Sequence, residues 1–101
     1  MSCIVEVSSF ALKNGVSKQD FLSVSEKFNC EFMLQQNGVI SSTLLEKDGK
    51  YLEFDVWATM GDLENAQKAA PSHALTNEWF SLVNIEEDVQ LYNLVRVTQK
   101  T

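Results

Sequence analysis

The sequence predicts an α+β domain with the ferredoxin-like order βαββαβ, in which one antiparallel sheet carries its helices on a single face. Two observations support this prediction. Strand-like runs alternate with amphipathic helix-like runs, and turn residues separate them. Two of the strand-like runs are joined by Asp48-Gly49, which is typical of a tight hairpin because both residues accept positive φ. At 101 residues, the chain is expected to form one domain over residues 1–101.

The first strand and the first helix are predicted within the first 36 residues. Residues 3–10 are β-branched or apolar on both faces, which is typical of a central strand. Ser17 is expected to cap the following helix, with Asp20 as the acidic half of a capping box. Asn37-Gly38 should supply a left-handed exit. One apolar stripe faces the core, formed by Phe21, Val24, Phe28 and Phe32.

The second half repeats the plan with a broken helix. Residues 39–47 and 50–58 are predicted strands, and the second of these alternates cleanly between its faces. Thr59 and Asp62 form a capping-box pair, Pro71 breaks the helix that follows, and a second segment is expected to start near Ser72. Residues 89–97 should close the sheet. The two faces of the third strand are Leu52, Phe54, Val56, Ala58 and Tyr51, Glu53, Asp55, Trp57.

The first and last predicted strands are apolar on both faces. In the first strand, Ile4 and Phe10 are on one face and Val5 and Val7 are on the other face. In the last strand, Leu94 and Val95 are on different faces. A single helical layer cannot cover both faces of a sheet, whereas a second sheet can. We therefore expect a homodimer packed sheet against sheet.

Composition and charge exclude several classes of protein. The net charge is -6, with 14 acidic and 8 basic residues, so the surface should repel phosphate backbones and anionic lipid. Neither a nucleic-acid partner nor a membrane is expected, and no secretion signal is evident, which favours a cytoplasmic location. Cys3 and Cys30 are interpreted as free buried thiols rather than a disulfide framework. No nucleotide-binding glycine motif is present.

Several segments together resemble a known superfamily. They are Phe10-Ala11-Leu12-Lys13-Asn14-Gly15-Val16 before a capped helix, Val56-Trp57-Ala58-Thr59, the alanines Ala66, Ala69 and Ala70, and Trp79-Phe80-Ser81-Leu82-Val83 before a last strand. This pattern resembles the dimeric α+β barrel superfamily, and within it the antibiotic-biosynthesis-monooxygenase-like domains. The resemblance spans nearly the whole chain and consists of core positions and turns.

The resemblance implies two sheets that close into a barrel across a dimer, with a cleft between sheet and helices in each subunit. Members of the superfamily include oxygenases that need no metal or flavin, haem-degrading enzymes and proteins without known activity. The fold therefore says little about the reaction. The Asn, Trp and His set of the haem-degrading relatives is incomplete here, because Ser8 and Ser9 stand in the first strand and Tyr92-Asn93 stand in the last.

Five residues are candidates for a site. His73, the single histidine, is a candidate general base or haem ligand, or else an exposed residue at a helix start. Trp57 and Trp79 could form the walls of a pocket for an aromatic ligand, or simply core. Tyr92 could position a substrate oxygen, although a tyrosine on a sheet more often packs, and Asn93 beside it is a further candidate for the ligand pocket.

The acidic pair Glu53 and Asp55 shares one strand face, and Arg96 is the only arginine. If Arg96 lies across the sheet, a bidentate ion pair would form; otherwise the pair is exposed and contributes little.

The leading hypothesis is a homodimeric, cofactor-independent monooxygenase-like enzyme that acts on a small apolar or aromatic metabolite. The alternative is a non-catalytic module that binds a small molecule or assembles, and haem degradation is a third. A pocket lined only by apolar groups would favour the binding module.

Overall fold

The computed structural model describes residues 3–100, and within them five strands and three α-helices form the predicted α+β fold. The fold class is confirmed. The helices cover one face of an antiparallel sheet with the order β2-β3-β1, and both β4 and β5 pair with the free edge of β1. The elements are β1 (Ile4–Leu12), α1 (Lys18–Glu31), β2 (Val39–Lys47), β3 (Lys50–Trp57), α2 (Met60–Ala69), α3 (Ala74–Leu82), β4 (Val83–Ile85) and β5 (Gln90–Asn93).

Both predicted helix caps are confirmed. The side chain of Ser17 accepts a hydrogen bond from the backbone N–H of Asp20 at 3.0 Å, which satisfies a free donor at the start of α1. Thr59 does the same for Asp62 at the start of α2, also at 3.0 Å, and its hydroxyl donates to the Asp62 carboxylate at 2.9 Å. The hairpin turn is confirmed as well, because Asp48 and Gly49 both have positive φ.

The core lies between the helices and the sheet and is built on aromatic rings. Phe10 of β1 stacks on Tyr51 of β3, its neighbour in the register, with ring centroids 5.5 Å apart. Two further rings pack against the ring of Phe10. The centroid of Phe21 in α1 is 5.6 Å away in a tilted geometry, and the centroid of Trp79 in α3 is 5.0 Å away in an edge-on geometry. These arrangements are favoured by the quadrupoles of aromatic rings. The predicted stripe on α1 is therefore confirmed as core.

The last strand differs from its prediction. In place of one strand over residues 89–97, the edge carries two short strands, β4 and β5, and no strand is assigned to residues 94–100. Two residues of β1 lie between Val7 and Phe10, whereas four residues lie between their partners Gln90 and Ile85, so two extra residues bulge out between β4 and β5. The acidic run Glu86-Glu87-Asp88 occupies that bulge, where it remains exposed to solvent.

Two smaller predictions also need correction. The helix after Pro71 starts at Ala74, because residues 70–72 form a short 3-10 turn and His73 caps the new helix. Cys30 is exposed, since it lies outside the apolar stripe of α1, whereas Cys3 is half-buried and both thiols are free. None of the helices in residues 3–100 is long and apolar enough to cross a membrane.

The sheet face away from the helices has no covering layer within residues 3–100. The register places six apolar side chains together there, and we call this group the open face: Val5, Val7, Leu45, Leu52, Phe54 and Val56. Leu45 and Leu52 are 45% and 38% exposed. Contiguous apolar surface of this kind is typical of an interaction site. It is the surface on which the expected sheet-to-sheet dimer depends.

Replacement of Gly38 by alanine should destabilise the protein more than the same change at Gly15. Both glycines have φ above +80°, so each alanine carries backbone strain of about 1 kcal/mol. A Cβ at Gly38 would also overlap the side chain of Asp62 and disturb the cap of α2, whereas nothing lies within 4 Å of a Cβ at Gly15. We expect Gly38→Ala to cost roughly 1 kcal/mol more than Gly15→Ala, as measured by urea unfolding. Equal losses would contradict this account of Gly38.

Candidate functional site

A cavity of about 440 Å³ lies between the sheet and the helices. Its floor consists of helix-facing side chains of β1 and β3, and its walls come from all three helices and the turns next to them. This volume suits a small organic molecule. The residues of the floor are Glu6, Ser8, Glu53, Asp55 and Trp57.

The antiparallel register explains why carboxyl groups meet in this floor. Glu6 of β1 lies directly opposite Asp55 of β3, and Ser8 lies opposite Glu53. Side chains opposite one another on one face of a sheet have Cβ atoms about 5 Å apart. Glu53 and Asp55 are also two residues apart on one strand, which places them on the same face. Three carboxyl groups therefore converge beneath the helices.

The walls of the cavity are largely aromatic and apolar. Phe28, Phe32 and Trp79 form a stacked group, with ring centroids 5.4 Å apart between the phenylalanines and 6.2 Å apart between Phe28 and Trp79. Phe80 meets Trp79 edge-on at 5.0 Å and is half exposed, so it lies at the border of the cavity. Leu63, Ala66 and Met33 complete the apolar walls.

Burial changes the acidity of Glu53 strongly. Only 6% of Glu53 is exposed, and the loss of solvent, together with the negative charges of Asp55 and Glu6, raises the pKa of this carboxyl from 4.5 to about 8. A side-chain hydrogen bond to Asp55 adds to the rise. Glu53 is therefore mainly protonated at neutral pH, and it titrates within the range where a general acid or base is effective.

The pKa values of the two neighbouring carboxyls, Asp55 and Glu6, are also raised. Burial raises the pKa of Asp55 from 3.8 to about 6. Hydrogen bonds from Ser42 and Glu53 lower this pKa and oppose the rise in part. Burial also raises the pKa of Glu6, and the hydrogen bond that the Trp57 indole donates to Glu6 at 3.4 Å opposes that rise. No Lys, Arg or His is among the described residues that line the cavity. The carboxyls therefore lie together without a basic partner.

Three buried polar atoms of cavity-lining residues have no hydrogen-bond partner within residues 3–100. They are Asp55 Oδ1, Thr76 Oγ1 and the indole Nε1 of Trp79, and each residue is at most 5% exposed. A buried polar group without a partner costs about 1–3 kcal/mol. Such a cost, concentrated around one cavity, is typical of a functional site rather than of packing alone.

The structure brings together only part of the predicted site. Trp57 and Trp79 both line the cavity, as the pocket hypothesis requires. His73 does not line it: its Nδ1 accepts a hydrogen bond from the backbone N–H of Leu75 at 3.2 Å, and its ring packs 5.2 Å from Phe32. His73 thus caps α3, and a catalytic role for it stays a prediction.

The predicted residues of the last strand lie elsewhere. Tyr92 is 57% exposed and pairs with Val5, which places it on the side of the sheet away from the helices. Asn93 pairs with Ile4 at the end of β5 and is also absent from the described lining. Neither residue is among the described lining of the cavity, and their role as ligand contacts stays a prediction.

The carboxyl floor was not predicted as a site. Within residues 3–100 Arg96 pairs with neither Glu53 nor Asp55, because both carboxyls are buried beneath the helices and Arg96 is exposed beyond β5. The alternative of an exposed acidic pair is wrong for the same reason, and an ion pair across a dimer stays a prediction. The sequence did contain a signal. Glu53 and Asp55 lie between Tyr51 and Trp57 at a spacing of two residues, so all four side chains share one face of the strand. The large rings of Tyr51 and Trp57 belong in the core, and the carboxyls therefore had to share that buried face.

The residues that the structure describes contain no group of three or more His, Cys, Asp or Glu side chains placed to hold a metal ion. The three carboxyls of the floor are groups that can serve as acids, bases or hydrogen-bonding partners.

The fold is similar to that of several solved structures. SnoaB, a cofactor-independent oxygenase from Streptomyces nogalater, is 19% identical, with a TM-score of 0.79 over 99% of this chain and 100% of SnoaB. A provisionally assigned antibiotic biosynthesis monooxygenase from Bordetella bronchiseptica is 20% identical, with a TM-score of 0.67 over 97% and 100% of the two chains. A second provisionally assigned antibiotic biosynthesis monooxygenase, from Chloroflexus aurantiacus, is 11% identical, with a TM-score of 0.66 over 97% of this chain and 98% of that protein.

These likenesses confirm the resemblance in fold to the monooxygenase-like α+β barrels. At such low identity they establish the fold and not the reaction. A scan against protein-family models and a search of curated proteins found no match.

The raised pKa of Glu53 predicts how stability depends on pH. Between about pH 4.5 and 8, the folded protein holds a proton on Glu53 that the unfolded chain has lost, so the free energy of unfolding falls as pH rises through this window. The slope from this group is at most about 1.4 kcal/mol per pH unit. Glu53→Gln removes the titrating group and should flatten the decline, as measured by urea unfolding between pH 5 and 8.

Glu64→Gln makes the same chemical change at an exposed position of α2 and serves as the control. It should retain the decline of the parent protein. Identical pH profiles for Glu53→Gln and Glu64→Gln would show that Glu53 does not titrate within this window.

Proposed function

We propose that this chain is a cytoplasmic, homodimeric, cofactor-independent monooxygenase-like enzyme that oxidises a small aromatic molecule in the cavity. The observation that supports this most is the position of Glu53. It is a buried carboxyl with a pKa of about 8 in the floor of a cavity with aromatic walls. The similarity in fold to a cofactor-independent oxygenase adds support for the reaction class.

Glu53 is the proposed base. A carboxyl of ordinary pKa is too weak a base to take a proton from a carbon or phenol at neutral pH, whereas one with a pKa near 8 is matched to the task. Asp55 and Glu6 act through Glu53, because their negative charges help to hold its pKa high. In this proposal Asp55 and Glu6 are positioning residues.

The reaction requires a substrate that can supply its own electrons, such as a ring system with an activated CH₂ group. Ionised Glu53 takes one proton from this CH₂, and the resulting carbanion forms a C–O bond to dioxygen. The peroxide oxygen then takes the proton back from Glu53 and becomes a hydroperoxide. Loss of the second C–H proton breaks the O–O bond, forms C=O and releases water. The CH₂ group loses four electrons and dioxygen gains four.

The aromatic walls have two tasks in this proposal. Trp57 and Trp79 offer flat surfaces that orient a planar substrate over the carboxyl floor. The apolar surroundings also keep water away from the carbanion, which would otherwise be reprotonated. Trp57 further donates a hydrogen bond to Glu6, which fixes the edge of the floor.

The alternative, a non-catalytic binding module, was expected to have a cavity lined only by apolar groups. Three carboxyls line this cavity, and two of them have strongly raised pKa values. This arrangement favours an enzyme. Haem degradation gains no support from the position of His73, which caps α3 outside the described lining.

The proposed dimer uses the open face. Its apolar side chains come from the three strands β1, β2 and β3, and no helix of the described chain covers them. A second copy that packs on this face would bury the same residues twice, as a two-fold interface requires. The cavity lies on the other side of the sheet and stays accessible.

Oxygen uptake tests the proposed reaction. With 1,8-dihydroxyanthrone, a tricyclic compound with an activated CH₂, the protein should accelerate dioxygen consumption above the spontaneous rate without added metal or flavin. Glu53→Gln should lower the enzymatic rate by about 10²- to 10⁴-fold, because a general base contributes that much. The rate of the parent protein should rise with pH and level off above about pH 8 as Glu53 ionises.

Glu64→Gln should keep the parent rate. His73→Ala separates the two candidate bases. If His73→Ala loses the enzymatic rate and Glu53→Gln keeps it, His73 and not Glu53 is the base. Binding of the anthrone without any acceleration would instead favour the non-catalytic module.

Substitution on the open face tests the proposed dimer. Leu52 of β3 and Leu22 of α1 have nearly the same exposure, 38% and 40%. Leu52→Glu should dissociate the dimer, because it buries a charge in an apolar interface, and Leu22→Glu should leave the dimer intact. Sedimentation equilibrium reports both results. A monomeric parent protein, or a Leu52→Glu protein that remains dimeric, would contradict the proposal.

A further inference from the structure

We propose that the cavity selects an aromatic compound that carries a basic amine, and that the protonated amine binds among Glu6, Glu53 and Asp55. The inference rests on the proposed function in taking this cavity as the substrate site, and it names the chemical class of the substrate. It follows from the charge, the walls and the unpartnered atoms of the cavity.

The first argument is the missing counter-charge. Three carboxyls from two paired strands share the floor, with Glu6 directly opposite Asp55, and no basic side chain is among the described lining residues. Like charges placed opposite each other repel and are destabilising. A protonated amine on the ligand would supply the positive charge that the protein itself does not place there. Its three N–H donors match three acceptors converging from two strands.

The second argument is the chemistry of the walls. Phe28, Phe32, Trp57 and Trp79 surround the space above the carboxyl floor. Aromatic faces attract cations, and the attraction is stronger where water is excluded. The same faces stack on the aromatic part of a ligand. Carboxyls together with aromatic faces therefore favour an organic cation over a neutral hydrocarbon.

Unpartnered polar atoms lie at both ends of the cavity. Asp55 Oδ1 has no hydrogen-bond partner within residues 3–100, although Asp55 is only 4% exposed. On the helical side of the cavity, the indole Nε1–H of Trp79 and the hydroxyl of Thr76 are equally buried and unpartnered. A ligand with an amine at one end and a hydroxyl or carbonyl oxygen at the other would satisfy both ends of the cavity. The geometry thus indicates an amine-bearing phenol or ketone.

Anionic ligands are disfavoured by the same arrangement. A carboxylate or phosphate would meet three acidic groups in the floor and no described basic group in the walls. The net charge of -6 would also slow its approach to the protein.

Binding of the cation should release protons. Glu53 is mainly protonated at neutral pH, and a positive charge beside it would favour its ionised form. The other titratable groups that face it are Asp55 on β3 and Glu6 on β1, whose ionisation the cation also favours. The helices contribute only uncharged polar side chains to the lining, namely Gln67, Thr76 and Asn77.

Three matched ligands test the inference: tyramine, 4-propylphenol and 3-(4-hydroxyphenyl)propanoate. They share a hydroxyphenyl ring and differ at the end of a short chain, which is cationic, neutral or anionic. Binding is followed by the indole N–H signals in nitrogen-15 spectra, with Trp79→Phe to assign them, and by calorimetry. We expect tyramine to bind at least tenfold more tightly than 4-propylphenol and the propanoate to bind most weakly.

Variants locate the source of this preference. Glu53→Gln and Asp55→Asn should each reduce the preference for tyramine over 4-propylphenol at least threefold, and Glu64→Gln should not change it. Calorimetry at pH 7 in phosphate and in Tris should give different apparent enthalpies for tyramine, because released protons are taken up by the buffer. The same enthalpy in both buffers would overturn the proton release.

The comparison of ligands on the parent protein requires no variant to fold. Equal or tighter binding of 4-propylphenol, or the absence of binding by all three ligands, would overturn the inference. Since the readout is binding and not dioxygen uptake, a preference for tyramine in a protein that consumes no dioxygen would retain this inference while the oxygenase proposal fails.

Discussion

The pairing register between β1 and β3 is the constraint on which the rest of the structure depends. It places Phe10 against Tyr51 and Glu6 against Asp55 on the helical face, and Val5 against Val56 on the other. A slip of one residue would exchange the two faces, moving the carboxyls away from the helices and exposing the aromatic rings. The stacked rings of Phe10 and Tyr51, which are almost inaccessible to solvent, oppose such a slip because it would expose both of them.

Stability and chemistry compete within this one face of the sheet. The half of the face near Phe10, Phe21 and Tyr51 is dense aromatic core, and it lowers the free energy of the fold by burying large rings. The other half carries carboxyls whose burial raises their pKa, so that the free energy of unfolding falls as pH rises between about 4.5 and 8. An apolar residue at position 53 or 55 would pack there at lower cost. The fold therefore tolerates a local penalty that the neighbouring aromatic core offsets, which is the pattern of a functional site.

The sequence predicted the fold because its local signals agree with one another. The caps at Ser17 and Thr59, the Asp48-Gly49 turn and the helical stripes each specify one step of the βαββαβ order, and all were confirmed. The site was harder to predict. Trp57 and Trp79 were identified by size, whereas Glu53 was not, because its role depends on what lies over its face of β3. Tyr51 and Trp57 mark that face as buried, but whether a cavity or close packing lies over its carboxyls is decided by elements distant in sequence, which no local pattern contains. His73 was ambiguous for a related reason, since a histidine just before a helix can be an N-cap as well as a base, and its side chain accepts the capping hydrogen bond of α3.

The two faces of β3 also connect the proposed dimer to the proposed chemistry. Leu52, Phe54 and Val56 alternate with Glu53 and Asp55, so a partner that packs on the open face would hold the strand whose other side positions the carboxyls. A pKa shift that results from burial requires a rigid strand, because even brief exposure to water would return Glu53 toward its ordinary acidity. An apolar face held by a second copy would thus serve the site without contributing a residue to it. A small domain with an acidic cavity can therefore benefit from a continuous apolar strand surface on the side away from that cavity.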